Sequence, residues 1–530
     1  MQSKFLIFIL ILLFFGVQIT DKPFFTKGEA REAVVVQGMI LQNNYILPLR
    51  NGEEIPSKPP MFHWSAVLTS KIIGLTEVAI RIPSVIYATL CAMLIFTIAP
   101  SMTSLILISA MEFSRSATSA RVDMCFCFFL TLASLAAFNI INNRKLSSNF
   151  LFLSFGLVGS ILSKGPAGLA FPVAIAGIYS LTINRCNFKK ILFNKNFIVL
   201  IISAVIALAS SGLWYYWAYQ IGKDDFLAVH LARENVGRFV NNDTMPGHEK
   251  PFYFSPIYLV LGFLPWSLLL PFTFKQIWQQ RKDLLREENR LKLFSLIWFL
   301  VYFLIVTLAK SKRVVYLLPA FPALAILISQ TSFKSEQAGK ICKKISQLLG
   351  GLTAIILALI FSYGLTKDKL LQIGIKAKDL QIVDLFFEQK NIPNLYATIF
   401  LLFIILALSF SNKFSSLKKL AISMCLIAFT SNVLILPLIS KNFSPREFIE
   451  ILGKNSKLVF FKEPYYAFSF YYENSIPVAQ TNEQMQQADY ILVSEEKLQD
   501  FKSKFPDKKL ALESQTPIIH GRYKALAFKN

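Results

Sequence analysis

The sequence predicts an all-α polytopic membrane protein with about thirteen transmembrane helices, amphipathic helices beside the membrane and a small C-terminal α/β domain. Three observations support this fold class. Hydrophobic residues make up 54% of the 530 residues, and the mean hydropathy is +0.49. The apolar residues are collected in runs of roughly the 20 residues that a helix needs to cross a bilayer. The 55 basic and 32 acidic residues fall mainly between those runs.

Thirteen apolar runs are predicted to span the membrane. The run at 101–118 is interrupted by serines and an arginine, and the run at 149–163 is short, so their patterns are less regular. The first run ends without the small residues of a signal-peptidase site, and we expect it to remain as the first span. The predicted spans are 3–20, 80–98, 101–118, 122–141, 149–163, 166–184, 196–217, 254–273, 291–309, 313–331, 347–366, 395–412 and 417–440.

The basic residues predict the orientation of these helices. Lysine and arginine are enriched in cytoplasmic loops. With an odd number of spans and a cytoplasmic N-terminus, the clusters at 142–145, 185–195, 281–292, 340–344 and 413–419 all fall on the cytoplasmic side. The net charge of +23 is therefore interpreted as a sign of topology, and no nucleic-acid partner is expected.

Four segments remain on the opposite, outer side of the membrane, and they contain most candidates for chemistry. They are 21–79, 218–253, 367–394 and the tail from about 441.

The chain is accordingly divided into a transmembrane domain, 1–440, and a soluble domain, 441–530. The soluble part contains strand-like runs at 458–461, 490–493 and 511–512, separated by helical stretches. That alternation predicts a small α/β domain.

The first outer segment contains a predicted amphipathic helix that begins near Glu29 and Arg31 and whose apolar side is suited to the membrane surface. A carboxylate beside a membrane-level cleft is suited to accept a proton from an attacking hydroxyl group. The alternative is that Glu29 only stabilises the N-terminus of the helix electrostatically. Spacing alone leaves both interpretations open.

Lys58 directly precedes Pro59 and Pro60. Two prolines hold the backbone extended, so the position of the lysine is restricted. A fixed cation is suited to bind a phosphate group. The same composition is also typical of a turn before an aromatic belt at the membrane interface.

Ionisable residues at the ends of apolar runs are costly to place in a membrane and are therefore candidates for function. Arg121 and Asp123 flank a predicted outer turn and are candidates to pair or to face a cleft. Lys164 lies at the next outer turn, and Lys312 lies at the outer end of the ninth predicted helix. Basic residues on this side indicate an anionic partner, such as the phosphate of a lipid carrier.

The outer segment 218–253 contains Arg238 and His248. His248 is followed by Glu249, and this pair is a candidate to help hold a divalent metal ion. The alternative is a histidine that only forms hydrogen bonds at the membrane interface.

Taken together, these blocks resemble the superfamily of bacterial aminoarabinose transferases and protein O-mannosyltransferases, which are membrane glycosyltransferases of the C-type fold. The resemblance is stronger to the aminoarabinose transferases and covers roughly residues 20–325. The matching blocks, in family order, are Gly28–Arg31, Gly52 to Pro60, Ala79–Ser84, Lys164–Pro166, Glu234–Phe239, His248–Phe252, Leu264–Ser267 and Lys310–Lys312 with Tyr316–Pro319.

The resemblance implies a sugar donor linked to undecaprenyl phosphate and transfer at the periplasmic face of the bacterial inner membrane, to lipid A or to another envelope glycan or lipid. It also implies a periplasmic C-terminal domain and no tightly bound cofactor, with a divalent metal at His248 left open. Carried over by position, the catalytic candidates are Glu29 and Asp123. The candidates for binding the donor phosphate are Lys58, Lys164, Lys312, Arg31 and Arg238.

Two departures from the family pattern affect these assignments. Family members often have Asp-Glu where this chain has Gly28 and Glu29, which leaves Glu29 and Asp123 as rival bases. They also have Glu where this chain has Ser57, which weakens the case for a bound metal at that position.

The sequence therefore predicts an inverting glycosyltransferase that works by a single displacement, because no second carboxylate is evident as a covalent nucleophile. One alternative is a protein O-glycosyltransferase of the same superfamily. Another is a flippase or transporter for lipid-linked sugars. A transporter should have ionisable residues near the middle of the membrane and broken helices, whereas the charges here gather at the outer helix ends.

Overall fold

A computed structural model describes residues 2–20, 22–233, 249–332, 336–372, 377–520 and 522–529. Most of these residues are helical, and four short strands lie near the C-terminus. The α-helices are α1 (Gln2–Val17), α2 (Lys27–Leu41), α3 (Met61–Ile73), α4 (Glu77–Ile98), α5 (Ser101–Ile108), α6 (Met111–Ala117), α7 (Val122–Ile141), α8 (Leu146–Lys164), α9 (Ala167–Ile183), α10 (Phe188–Leu192), α11 (Lys195–Leu227), α12 (Phe254–Gly262), α13 (Leu270–Gln279), α14 (Arg290–Leu308), α15 (Phe321–Ser332), α16 (Glu336–Gln372), α17 (Ala377–Phe387), α18 (Ile392–Phe410), α19 (Ser416–Phe429), α20 (Leu436–Asn442), α21 (Arg446–Leu452), α22 (Tyr466–Tyr472), α23 (Asn482–Gln486) and α24 (Leu498–Lys504).

Nine helices in the described ranges are long and apolar enough to cross a membrane. A tenth span results if Phe254–Gly262 and Trp266–Gln279, which are bent by 108° relative to each other, count as one. Ser3–Val17 and Ala167–Ile183 are apolar but shorter. The chain is thus a multi-span membrane protein, as predicted, although fewer helices than the expected thirteen reach full spanning length.

The prediction of one continuous helix over 101–118 is wrong. The segment forms α5 and α6, and the chain is extended at Ala110 between them. The backbone N–H of Met111 donates to the carbonyl of Leu264 at 3.1 Å instead of continuing the helix. A tertiary hydrogen bond to a distant segment therefore replaces the helical one.

The helix α7 is the centre of the bundle. Of the most apolar 18-residue stretch of this helix, 89% is buried, and it packs on α4, α8 and α9. In contrast, only 22% of the corresponding stretch of Lys195–His230 is buried. Apolar side chains on the outer helices face the surroundings, as expected where lipid replaces water.

The C-terminal part forms an α/β domain, as predicted. Its sheet has the order β1-β2-β4-β3, in which β1 and β2 are parallel and the other neighbours are antiparallel. The strands are β1 (Leu458–Phe460), β2 (Tyr490–Ser494), β3 (Lys509–Glu513) and β4 (Ala525–Lys529). The strand β4 was not predicted from the sequence, although it pairs with two others and its side chains are mostly buried.

This domain packs on the segment between α1 and α4. The amide of Gln37 donates to the carbonyl of Ser469 at 3.3 Å, and Asn51 exchanges two hydrogen bonds with Ile476. Helix α2 packs against α22 and is buried at every residue from 32 to 39. The helix exists as predicted, but its apolar side is covered by protein and does not lie free on the membrane surface.

Candidate functional site

A cavity of about 320 Å³ lies where α8 ends and the segment before α3 passes over the helix bundle. We call it the lysine cavity, because Lys58 and Lys164 both line it. The rest of its wall is mainly aromatic and aliphatic, with Phe126, Phe171 and Ile305 among the lining residues. Two cations beside an apolar wall are suited to an amphiphile with an anionic head group.

Lys164 is held in place by the way in which α8 ends. It is the last residue of the helix, where a cation is favoured by the helix dipole. Gly165 follows with φ +69°, and a Cβ atom there would lie 3.1 Å from the Tyr215 hydroxyl. This glycine therefore allows both the turn and the close packing, and Pro166 follows as the N-cap residue of α9.

The Lys164 ammonium is surrounded on three sides. It lies 2.7 Å from an Asp123 carboxylate oxygen, and both side chains are at most 10% exposed. It also lies 4.8 Å from the centre of the Phe126 ring and 4.7 Å from that of the Tyr316 ring. Such aromatic faces stabilise a cation.

Asp123 occupies the first turn of α7, where a carboxylate is favoured by the helix dipole. Lys164, Arg121 and Lys58 all lie close enough to interact electrostatically with it. The structure therefore places the carboxylate among cations and against Lys164, which lines the lysine cavity, although Asp123 is not itself a lining residue.

Glu29, the rival carboxylate, belongs to a separate buried network. Its two oxygens accept hydrogen bonds from Arg81 at 2.8 and 3.1 Å, and one oxygen also accepts from the N–H of Ala120 at 2.9 Å. Burial by itself raises the pKa of Glu29, but Arg81 and the hydrogen bonds outweigh this and lower it to about 2. Glu29 is therefore a structural anion in this arrangement and does not line the lysine cavity.

The same network includes Lys22, whose carbonyl accepts a hydrogen bond from Arg81. The Lys22 ammonium donates to Asn432 at 3.3 Å and is almost completely buried. Burial, followed by the charge of Arg81, lowers the pKa of Lys22 to about 7. The network thus joins the segment after α1 to α4 and to the π-helical turn Thr430–Ile435, which contains Asn432.

Gly28 lies against Arg121. A Cβ atom at Gly28 would be 2.4 Å from a terminal nitrogen of the Arg121 guanidinium group. Arg121 therefore occupies the space into which a side chain at position 28 would project.

Arg31 pairs with its neighbour Glu32 at 2.6 Å. The second oxygen of Glu32 lies 2.9 Å from Nε2 of His63, and both of these side chains are buried. Arg31 is 22% exposed and is not among the residues that line the lysine cavity.

Lys312 is near the lysine cavity but directed elsewhere. Its ammonium donates to the carbonyl of Lys250 at 2.9 Å, and its neighbour Ser311 lines the cavity. The other two candidates, Arg238 and His248, lie outside the described residues. Within the described ranges, no three His, Cys, Asp or Glu side chains come together in a way that would hold a metal ion.

Three polar residues of the lysine cavity were missed in the sequence. Tyr215 lies on α11, and Tyr302 on α14 donates to the Tyr316 carbonyl at 2.9 Å. His230 lies in a π-helical turn after α11, 2.8 Å from the Pro56 carbonyl and stacked on Phe226. An isolated histidine with aromatic neighbours gives no distinctive sequence pattern, although a π-helical turn is often found at functional sites.

Comparison with known proteins agrees with this architecture. Residues 57–220 match the family model described as dolichyl-phosphate-mannose-protein mannosyltransferase. A protein of Aquifex aeolicus is 28% identical over 370 residues, which cover 68% of this chain and 69% of that one.

The undecaprenyl phosphate-alpha-4-amino-4-deoxy-L-arabinose arabinosyl transferase of Aeromonas hydrophila is 26% identical over 376 residues, which are 68% of this chain. The alignment spans 66% of that enzyme, slightly less than two thirds of its length.

A similar fold occurs in the crystal structure of ArnT from Cupriavidus metallidurans bound to undecaprenyl phosphate. The TM-score is 0.73 over 98% of this chain and 97% of that one, at 16% sequence identity. The whole architecture, including the C-terminal domain, is therefore shared with that protein.

Proposed function

We propose that this chain, which belongs to the membrane glycosyltransferase superfamily of the aminoarabinose transferases and protein mannosyltransferases, transfers a sugar from a polyprenyl phosphate donor to an acceptor hydroxyl group. The observation that carries the proposal is the lysine cavity, where two cations meet an apolar wall. Relatives named for an undecaprenyl phosphate-linked sugar support the choice of donor.

In the proposed complex, Lys58 and Lys164 bind the donor phosphate, and the apolar wall contacts the first units of the polyprenyl chain. Phosphate is an anion that lysine binds as a point charge. The two ammonium groups also stabilise the negative charge that develops on the departing phosphate in the transition state. Lys312 contacts the Lys250 carbonyl beside this site, whereas Arg31 pairs with Glu32 and does not line the cavity.

Asp123 is the proposed base, because it touches Lys164 at the cavity wall, whereas Glu29 is held by Arg81 and a backbone amide. The proton of the acceptor hydroxyl passes to the Asp123 carboxylate as the hydroxyl oxygen attacks the anomeric carbon. The bond from that carbon to the phosphate oxygen breaks, and polyprenyl phosphate leaves with the electron pair. Attack opposite to the leaving group inverts the anomeric configuration.

The proposed setting is the periplasmic face of the bacterial inner membrane, with the N-terminus in the cytoplasm. The basic loops at 142–145, 185–195 and 281–292 support this orientation. Asn143 accepts from Asn196 at 2.8 Å, and Asn142 accepts from Arg290 at 3.0 Å, so these loops meet at one end of the bundle. Lys164 lies at the other end of α8.

The proposal needs no tightly bound cofactor, because the lysines supply the positive charge at the phosphate. A divalent metal held through His248 is the alternative, and it predicts loss of activity in a chelator and recovery with added metal. The acceptor is an envelope lipid or glycan such as lipid A.

The test is transfer of labelled sugar from a set of synthetic polyprenyl phosphate sugars to envelope fractions, with purified wild type beside Lys58→Ala. Wild type should form product, and Lys58→Ala should lose it while keeping its elution profile and thermal unfolding. Near-normal turnover in Lys58→Ala would show that Lys58 does not bind the donor phosphate. Net movement of lipid-linked sugar across vesicles, without any transfer, would favour a flippase.

A further inference from the structure

A second cavity of about 320 Å³ lies at the opposite end of the helix bundle from the lysine cavity. We call it the α9 cavity. Its wall comes from α7, α8, the second half of α9, α10 and the start of α11, and almost all of it is apolar. Ser180 is the one hydroxyl-bearing residue among its lining residues.

The two cavities lie at different positions along α9. The lysine cavity contacts Ala167 and Phe171 near the beginning of the helix, and the α9 cavity contacts Val173, Gly177 and Leu181. Ala167 and Leu181 are 14 residues apart, about 21 Å along the helix axis. No described residue lines both cavities. The α9 cavity is therefore not an extension of the site assigned to the donor phosphate.

The opening of the α9 cavity lies among side chains that face the lipid. Val173 on α9, Phe188 on α10 and Ile201 on α11 line the cavity and are 52%, 63% and 48% exposed. A void with apolar walls in a bilayer does not hold water and is suited to an alkyl chain from the surrounding lipid.

Charge at the rim of the α9 cavity indicates which lipid is favoured. The chain has no acidic residue between Asp123 and Asp224, a stretch that contains α7 to most of α11. At this end of the bundle, that stretch carries six basic residues, which are Arg144, Lys145, Arg185, Lys189, Lys190 and Lys195.

The short helix α10 connects the charge to the cavity. Its Phe188, Ile191 and Leu192 line the cavity, while Lys189 and Lys190 are exposed. Neither lysine forms an ion pair with a described carboxylate. One helix thus presents apolar side chains to the void and ammonium groups to the membrane surface beside it.

We propose that the α9 cavity binds an acyl chain of an anionic phospholipid, whose head group contacts Lys189 and Lys190. The basic loops alone are also explained by membrane topology. Topology does not explain the α9 cavity, which is lined by α10, so the cavity is independent support for a lipid site. Basic pockets between transmembrane helices bind anionic head groups by the same chemistry.

Two glycines provide a matched pair of variants for testing the acyl-chain site. A Cβ atom at Gly177, which lines the α9 cavity, meets no atom within 4 Å, and the same is true of Gly212 on α11, which does not line it. Gly177→Leu should fill the cavity without a clash, and Gly212→Leu controls for the change in helix propensity. Both variants should fold like wild type.

The experiment is native mass spectrometry of the purified protein titrated with phosphatidylglycerol or phosphatidylcholine of equal chain length. Wild type should retain phosphatidylglycerol preferentially, and Gly177→Leu should lose this binding while Gly212→Leu keeps it. Lys189→Gln with Lys190→Gln should reduce the preference by about fivefold for each charge removed. The paired control is Lys343→Gln with Lys344→Gln, two exposed lysines of another basic cluster.

Three outcomes would overturn the proposal. Equal retention of the two phospholipids by wild type would show that the head-group charge is not recognised. Undiminished phosphatidylglycerol binding in Gly177→Leu would show that the acyl chain does not enter the α9 cavity. Retention of polyprenyl phosphate in place of phospholipid, with loss in Gly177→Leu, would assign the cavity to the tail of the donor.

Discussion

The carboxylate of Asp123 lies 2.7 Å from the ammonium of Lys164, across the gap between the start of α7 and the end of α8. Each charge is favoured by the dipole of its own helix, so both helix ends stabilise the ion pair. Since Lys164 lines the lysine cavity and Asp123 does not, the pair connects the proposed phosphate site to the proposed base.

Asp123→Asn should lower the rate of sugar transfer by about 100-fold or more, because a positioned general base commonly contributes 10²–10⁴ to the rate. The measurement is turnover at saturating donor, together with the Michaelis constant for the donor. Asp384→Asn, at a peripheral ion pair with Lys367, is the control and should keep normal turnover. If Asp123→Asn retained activity while a folded Glu29→Gln lost it, the roles assigned to the two carboxylates would be reversed.

Glu29→Gln should mainly affect stability. The substitution leaves the buried guanidinium group of Arg81, which is 2% exposed, without its counter-charge. Removing one partner of a buried ion pair typically costs about 3–5 kcal/mol. The midpoint of thermal unfolding in detergent measures the effect. Glu336→Gln, which breaks an exposed pair with Lys340, should leave the midpoint nearly unchanged. If Glu29→Gln unfolded at the same temperature as wild type, the structural role of Glu29 would be contradicted.

The Glu29–Arg81 pair is a contact that could not be predicted from the sequence. Glu29 was identified as a carboxylate at a helix start, but its partner is 52 residues away, and no local pattern connects the two. Asp123 and Lys164 were recognised because charge at the end of an apolar run is costly and therefore conspicuous. His230 gave no such signal, because its position depends on the packing of Phe226 and Pro56 around it.

Helix boundaries show the same limit. The central span was predicted at 122–141 and is α7, because a mainly apolar run of 20 residues and an acidic first turn are local properties. The break between α5 and α6 depends on the hydrogen bond from Met111 to Leu264, which only the folded chain provides. Burial of α2 likewise depends on the C-terminal domain, whose contacting residues are 432 and 433 positions further along the chain.

Lys22 should make stability depend on pH. Its pKa is about 7 in the folded protein and about 10.5 when it is exposed, so the unfolded chain binds more protons between these values. Stability attributable to Lys22 should therefore rise as the pH increases from about 7 to 10.5. Below pH 7 both states are protonated, and the full cost of burying the charge remains.

The measurement is the difference in unfolding free energy between wild type and Lys22→Met as a function of pH. The unfolding free energy of wild type relative to that of Lys22→Met should increase from about pH 7 to 10.5 and should not change with pH below 7. Lys71→Met is a suitable control, since Lys71 is an exposed lysine. A difference that does not change from pH 7 to 10 would exclude a lowered pKa at Lys22.

Tyr471→Phe should weaken the attachment of the C-terminal domain to the helix bundle. The Tyr471 hydroxyl accepts from the backbone N–H of Phe24 at 2.6 Å and donates to Glu77 at 2.8 Å. Without the hydroxyl, a buried N–H loses its acceptor, which costs about 1–3 kcal/mol. Faster proteolysis in the segment between α20 and α21, with an unchanged helix signal in circular dichroism, would confirm the prediction. Tyr396→Phe, at an exposed site on α18, should leave the cleavage rate as in wild type, and equal rates in both variants would mean that this hydroxyl does not hold the domain.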